Sequence, residues 1–247
     1  MHRRNAMLVA VTCAAAVTAT LTVAAAVRPP ESTVSTATPP VSTVVATTAT
    51  SAPPSVPGDA ELAALVPGRL SVLVHDRRTR RDVVSYRPDA AYPAASLVKL
   101  LIALEARKRG VPSDEVAELL AGDDAVTGRW WVRLGGPAIV TGWAARLGLT
   151  GTHPPADPRR WEDTVVTAAD LARGYRSLLA EGARPESVME GASCCTPARN
   201  LHAAGVLADD RYIVVVLTAQ PAELGRATAA ERVAAVVKAL SVPLGSS

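Results

Sequence analysis

Ser96 and Lys99 stand three residues apart at the head of an apolar run, Leu97, Leu100, Leu101 and Leu104. That spacing predicts a helix with both side chains on one face, a turn apart. A lysine held there out of water gives up its proton readily and acts as a base toward the serine hydroxyl, so the pair reads as an acylatable nucleophile with its base. Of the 26 Lys and Arg residues only positions 99, 108 and 238 are lysine. An arginine at 99 would stay charged at any accessible pH, which gives this lysine a chemical meaning.

The other reactive side chains form weaker patterns. Cys194 and Cys195 are adjacent; neighbouring Cα atoms lie about 3.8 Å apart, too close for a relaxed disulfide. A vicinal disulfide and unbonded or intermolecular thiols both remain open. His75, His153 and His202 have no metal-ligand spacing, so neither a metal nor a cofactor is expected. His202 reads as a strand-start histidine, with an acid–base or supporting role as the alternative. Trp130, Trp131, Trp143 and Trp161 are assigned to core and rim.

The elements that must position Ser96 can be read around it. Asp59 to Val66 has a short helical pattern closed by Pro67-Gly68. Leu70–Val74 and Val83–Tyr86 form a hairpin whose basic turn, Arg77 to Arg81, reads as a solvated tip rather than a patch for an anionic polymer or lipid. The helix of Ser96 runs to Arg109 and is closed by Gly110. A second helix spans Ser113–Leu120, with Ser113 as N-cap and Val116, Leu119 and Leu120 on one face. Trp130–Leu147 is helical in two pieces broken at Gly135-Gly136-Pro137. Thr167 and Asp170 form a capping box opening another helix. Ala203–Leu207 and Tyr212–Leu217 form a closing hairpin, followed by a helix over Ala227–Leu240. This order gives an α+β fold with a mainly antiparallel sheet.

The N-terminal residues read as an export signal. Arg3 and Arg4 precede an uncharged stretch from Met7 to Val27, with Ala24-Ala25-Ala26 as a small-residue cleavage site. The stretch is also long enough for an uncleaved signal anchor. Cys13 lacks the small residue before it that lipidation requires. Residues 1–27 are thus a signal peptide or anchor, 28–57 a disordered Pro/Ser/Thr-rich tether, and 58–247 one globular domain of about 190 residues. The formal charge is +3; loss of Arg3 and Arg4 leaves 24 basic (26 less 2) against 23 acidic residues. That near-neutral balance, without a matching motif, speaks against nucleic-acid binding. The domain reads as a monomer that meets a membrane only through its N-terminal segment.

The segment Arg69 to Asp76, then Thr79, Tyr86-Arg87-Pro88-Asp89 and Ala95-Ser96-Leu97-Val98-Lys99-Leu100, resembles the front of the serine β-lactamase and penicillin-binding family. Leu134-Gly135-Gly136-Pro137 and Leu147-Gly148-Leu149-Thr150 resemble its helical part, and the last hairpin and helix match its closing elements in order. The resemblance implies the β-lactamase/transpeptidase-like fold, an antiparallel sheet flanked by the N- and C-terminal helices plus a reduced helical subdomain. It also implies attack by Ser96 on a β-lactam, cell-wall peptide or ester carbonyl, with Lys99 taking or relaying the proton. The oxyanion would be held by the Ser96 N–H and one from a facing strand.

The departures from this pattern are equally informative. The family's Ser-Asp-Asn is matched by Gly122-Asp123-Asp124, which lacks the hydroxyl and carries an acid in place of the amide. Its Lys-Thr-Gly is absent; the strand that should bear it lies near Val188–Ser193. The loop of the deacylating glutamate is shortened, and Glu162 reads as a solvated or capping carboxylate. The expectation is an exported β-lactamase-like serine hydrolase domain with impaired machinery. The alternative is a non-catalytic, wall-associated binding or interaction domain of the same fold.

Overall fold

A computed structural model describes residues 56–183, 188–193, 198–208 and 210–245. The expected signal segment, nearly all of the tether, and Cys194 and Cys195 lie outside the described residues. Among those described, no helix is long and apolar enough to cross a membrane.

Strands β1 (Arg69–Asp76) and β2 (Arg81–Tyr86) form the expected hairpin. Asp76 Oδ1 organises its turn by accepting from the backbone N–H groups of Arg78 (2.8 Å) and Thr79 (3.3 Å). Arg77, Arg78, Arg80 and Arg81 are exposed at the tip. Near the C-terminus come β5 (Val188–Ser193), β6 (Ala198–Leu207) and β7 (Tyr212–Pro221). With β1 and β2 they make one antiparallel sheet in the order β2-β1-β7-β6-β5. A two-residue strand β3 (Tyr92–Pro93) pairs separately with β4 (Val165–Val166), a contact too short to leave a sequence signal.

β1 departs from simple inside–outside alternation, being buried from Leu70 onward. The sheet is covered on both faces, so alternate residues feed two different cores. Leu73, Ile213, Val215 and Leu217 enter one core; Leu70, Val72, Val74, Val214 and Val216 enter the other. The second core is closed by α1 (Asp59–Leu65) and α7 (Arg226–Gly245). A seven-residue helix such as α1 has little stability of its own. Its anchor is fully buried Leu62, whose burial contributes about 2 kcal/mol.

The first core centres on α2 (Lys99–Lys108), in which every residue from Lys99 to Ala106 is buried. Around it pack α3 (Ser113–Ala121), α4 (Asp124–Leu134), α5 (Pro137–Leu147) and α6 (Ala168–Ala180). Val116, Leu119 and Leu120 form the buried face of α3, as expected, but Pro112 occupies the N-cap. Ser113 is the first helical residue instead, and its hydroxyl accepts from Arg107 (2.9 Å). The α4–α5 break falls where glycine is required, with Gly135 at φ +112° and Gly136 at φ +58°. Pro137 then opens α5 at a position that needs no N–H donor.

Candidate active site

The chain enters the site through β3 and a single 3₁₀ turn, Ala95–Val98, that runs directly into α2. In a 3₁₀ turn side chains at i and i+3 eclipse one another, so Ser96 and Lys99 emerge in one line. Ala95, completely buried, has φ +48°. A left-handed alanine is strained, and the neighbouring bonds hold it there. The N–H of Ala94 donates to Thr164 O (2.6 Å), and that of Leu97 donates to Ala94 O (3.0 Å).

A third restraint comes from His202 on β6. Its Nε2 donates to Pro93 O (2.8 Å) while its Nδ1 accepts from the Thr218 N–H (3.2 Å). The two bonds fix the neutral tautomer with the proton on Nε2. Burial lowers the pKa of this ring from 6.5 to about 4. His202 also meets the Tyr92 ring edge-on at 5.9 Å. It therefore positions the approach to Ser96 and has no free nitrogen for proton transfer.

Ser96 is half-buried and Lys99 is buried. Lys99 Nζ donates to Gly122 O, and among the described residues no hydrogen bond joins it to Ser96. Burial lowers the Lys99 pKa, opposed by the charges of Asp124 and Asp123. The structure thus brings Gly122-Asp123-Asp124 to the lysine, where the sequence pattern placed it. Asp123 caps α4, its Oδ1 accepting from the Val126 N–H (2.9 Å). A Cβ at Gly122 would lie 2.6 Å from Val126 Cγ1 and 2.9 Å from Glu118 O, so no hydroxyl side chain fits the loop as it stands.

β5 runs beside the Ser96 turn and pairs with β6 from Val188↔Gly205 to Ser193↔Asn200. This is the strand position anticipated for Lys-Thr-Gly, and it reads Val188-Met189-Glu190-Gly191-Ala192-Ser193. On another side the turn packs against a short 3₁₀ segment, Trp161–Asp163. Glu162 sits on that segment, 3.7 Å from Arg160, whose Nε donates to Asp163 Oδ2 (2.5 Å). Sequence reasoning missed this proximity; the Arg160/Asp163 spacing was the available signal, since it lets one ion pair close the shortened loop.

The remaining candidates have structural roles. His75 Nδ1 pairs with Asp82 (2.7 Å) at the hairpin, and His153 bridges Val165 through its backbone. Trp131 and Trp143 are buried core residues, while Trp130 and Trp161 pack partly buried against them. Half of the capping box forms: Thr167 Oγ1 accepts from the Asp170 N–H (3.1 Å). The Asp170 carboxylate turns instead to Gly151 N (2.9 Å), Thr152 Oγ1 (2.8 Å) and Arg173 (2.7 Å).

The sheet, its two helical covers and the serine at the head of the central helix define a β-lactamase/transpeptidase-like fold of the α+β class. A class A β-lactamase from Bacteroides cellulosilyticus DSM 14838 superposes with a TM-score of 0.57 at 14% identity, covering 76% of this chain and 97% of that one. TLA-3 extended-spectrum β-lactamase gives a TM-score of 0.56 at 13% identity, covering 76% and 100%. The chain is also 32% identical over 210 residues to a protein of Mycobacterium tuberculosis strain H37Rv named "Putative lipoprotein LppW", and equally to its namesake from Mycobacterium bovis. That match spans 65% of this chain and 66% of the mycobacterial proteins' length. No family profile matches the chain.

Proposed function

We propose that this is an exported β-lactamase-like serine hydrolase domain in which Ser96 is acylated by a β-lactam, a cell-wall peptide or a related ester, and in which turnover is impaired. The observation that carries this reading is the buried Lys99 one turn from Ser96. Burial favours its neutral form, the state in which an amine removes a hydroxyl proton. The strained turn at Ala95 supports it further, since such strain is a feature of functional sites.

The acyl-enzyme forms as Ser96 Oγ bonds to the substrate carbonyl carbon. Lys99 takes the hydroxyl proton and returns it to the leaving group. The start of α2 and the Ser96 N–H favour the developing oxyanion, together with an N–H from edge strand β5. Hydrolysis of the ester then needs a carboxylate to activate water, and Glu162 on the neighbouring segment is the group available. Arg160 lies 3.7 Å from this carboxylate and competes with water for it. With no hydroxyl at Gly122 and no lysine expected on β5, the acylated state outlives its formation.

The LppW likeness supports export and attachment to the outer face of the cytoplasmic membrane through the N-terminal segment. Fractionation of cells carrying the full chain, with and without residues 1–27, tests this; soluble cytoplasmic protein from the full chain would refute it.

A second reading, a non-catalytic wall-binding or interaction domain, draws on one observation. Lys99 bonds to Gly122 O in place of the serine. The two readings separate on exposure of the folded protein and Ser96→Ala to a fluorescent penicillin and a fluorophosphonate, read by intact mass. Adduct on the parent alone supports the hydrolase; a blank on both folded proteins leaves the binding domain.

A further inference from the structure

At the far end of α2 from Ser96 the structure contains a cavity of about 380 Å³, walled by α2, the end of α4 and α5. Glu105 lies in its floor, six residues beyond Lys99 and hence about 9 Å along the helix axis. Its carboxylate is held at both oxygens: Oε1 accepts from Arg109 Nε (2.8 Å), and Oε2 accepts from Trp143 Nε1 (3.1 Å) and Lys108 Nζ (3.5 Å). Arg109 also donates to Leu134 O (2.6 Å). The third cation, Arg146, lies over the Trp143 ring at 5.2 Å. Among the described residues Arg146 has no ion-pair partner. Three cations therefore line the cavity against one carboxylate, which is already hydrogen-bonded to two of them.

Gly142 lines the wall of the cavity. Gly142 occupies the middle of α5, where glycine is among the poorest helix formers. Its φ is not positive, and a Cβ there would meet nothing within 4 Å. The contrast is Gly174 on α6, where a Cβ would strike Leu100 at 2.8 Å and packing explains the glycine. Gly142 is exposed and lines the cavity, so a side chain added there would meet open space rather than collide.

We propose that this cavity is a binding site for a small organic anion with two negative charges, a phosphate monoester or a dicarboxylate. Arg146 and the free Nη1 of Arg109 supply the fork that grips the anion, Lys108 adds a point charge, and Trp143 with Ile139 supplies an apolar wall. A cavity of this size is at the lower end of those that hold metabolites. The surplus of two positive charges is matched by a dianion and left half-neutralised by a monoanion.

The test is a titration of the full chain at constant ionic strength with inorganic phosphate, phenyl phosphate, succinate and acetate, followed by calorimetry and by Tm. The expected result is saturable binding of a dianion in the micromolar to millimolar range, with Tm rising as saturation proceeds, and acetate at least tenfold weaker. Phosphate or phenyl phosphate alone identifies the monoester, and succinate alone the dicarboxylate. Arg146→Gln lowers affinity at least tenfold. Gly142→Leu, which fills the cavity and improves the helix, abolishes binding while raising the Tm of the free protein. No saturation by any dianion overturns the proposal, as does equal binding by folded Gly142→Leu. The readout involves no acylation, so it stands or falls apart from the fate of Ser96.

Discussion

Acid should destabilise this protein through His202 before its carboxylates titrate. The ring is neutral and buried, with Nε2 giving its proton to Pro93 O and Nδ1 receiving one from Thr218. Protonation would set an N–H at Nδ1 against the N–H of Thr218 at 3.2 Å, with no carboxylate among its bonded partners to compensate. The folded pKa of about 4 lies below the ordinary 6.5, so the unfolded chain binds the proton more tightly. Stability is therefore fully present above pH 6.5 and is lost as pH falls from 6.5 toward 4. At 1.36 kcal/mol per tenfold change in proton affinity, the loss amounts to about 3 kcal/mol. Asp76, held near 2 chiefly by its hydrogen bond from Arg211, loses its contribution only below this window. Urea unfolding at pH 7.5, 6.5, 5.5, 4.5 and 4 measures the effect on the parent, His202→Gln and His202→Asn. Gln can keep the donor to Pro93 and Asn the acceptor for Thr218, while neither titrates. Both variants should start less stable and close most of the gap by pH 4. A gap that stays constant with pH would refute the argument.

Replacing Lys99 with Met removes a buried amine, so the variant should unfold at higher urea than the parent at pH 7 while losing all labelling at Ser96. The folded pKa of Lys99 lies below 10.5; the cost of burying it is present at neutral pH and shrinks as pH rises toward 10.5. The advantage of Met should narrow by pH 10, and an unchanged advantage counts against the assignment. Gly122→Ser should cost about 1–3 kcal/mol through its collision with Val126. Adding Val126→Ala should recover part of that loss in urea melts, whereas a gain in penicillin turnover by Gly122→Ser alone would contradict the geometry. Asp170→Ala leaves Gly151 N, Thr152 Oγ1 and Arg173 without their shared acceptor. It should cost about 3 kcal/mol, read as a lower urea midpoint at unchanged slope.

Much of this fold was legible because its signals are local. Apolar spacing marked α2 and α3, Gly135-Gly136-Pro137 marked the break between α4 and α5, and the resemblance alone pointed to a strand at β5. The capping Thr167 was correct, yet the partner of Asp170 was not, because a carboxylate chooses among donors that only the folded chain assembles. The left-handed Ala95 left no trace in the sequence, since alanine has no preference for that conformation. The tie from His202 to Pro93 joins residues 109 apart and is set by sheet register. For the site, the pattern anticipated Gly122-Asp123-Asp124 in the loop that faces Lys99, but not that the Lys99 amine would turn toward the Gly122 carbonyl. That direction depends on a carbonyl, which every residue possesses.

The backbone around Ser96 is held by groups that take no part in bond making: Thr164 O, Pro93 O and the ring of His202. None belongs to the serine, lysine or glycine-loop positions. Orientation of the hydroxyl and reactivity of its surroundings are therefore separable properties of this scaffold. The chemistry around the serine can be rewritten while its aim is preserved, which makes the domain a ready frame for installing a different proton relay.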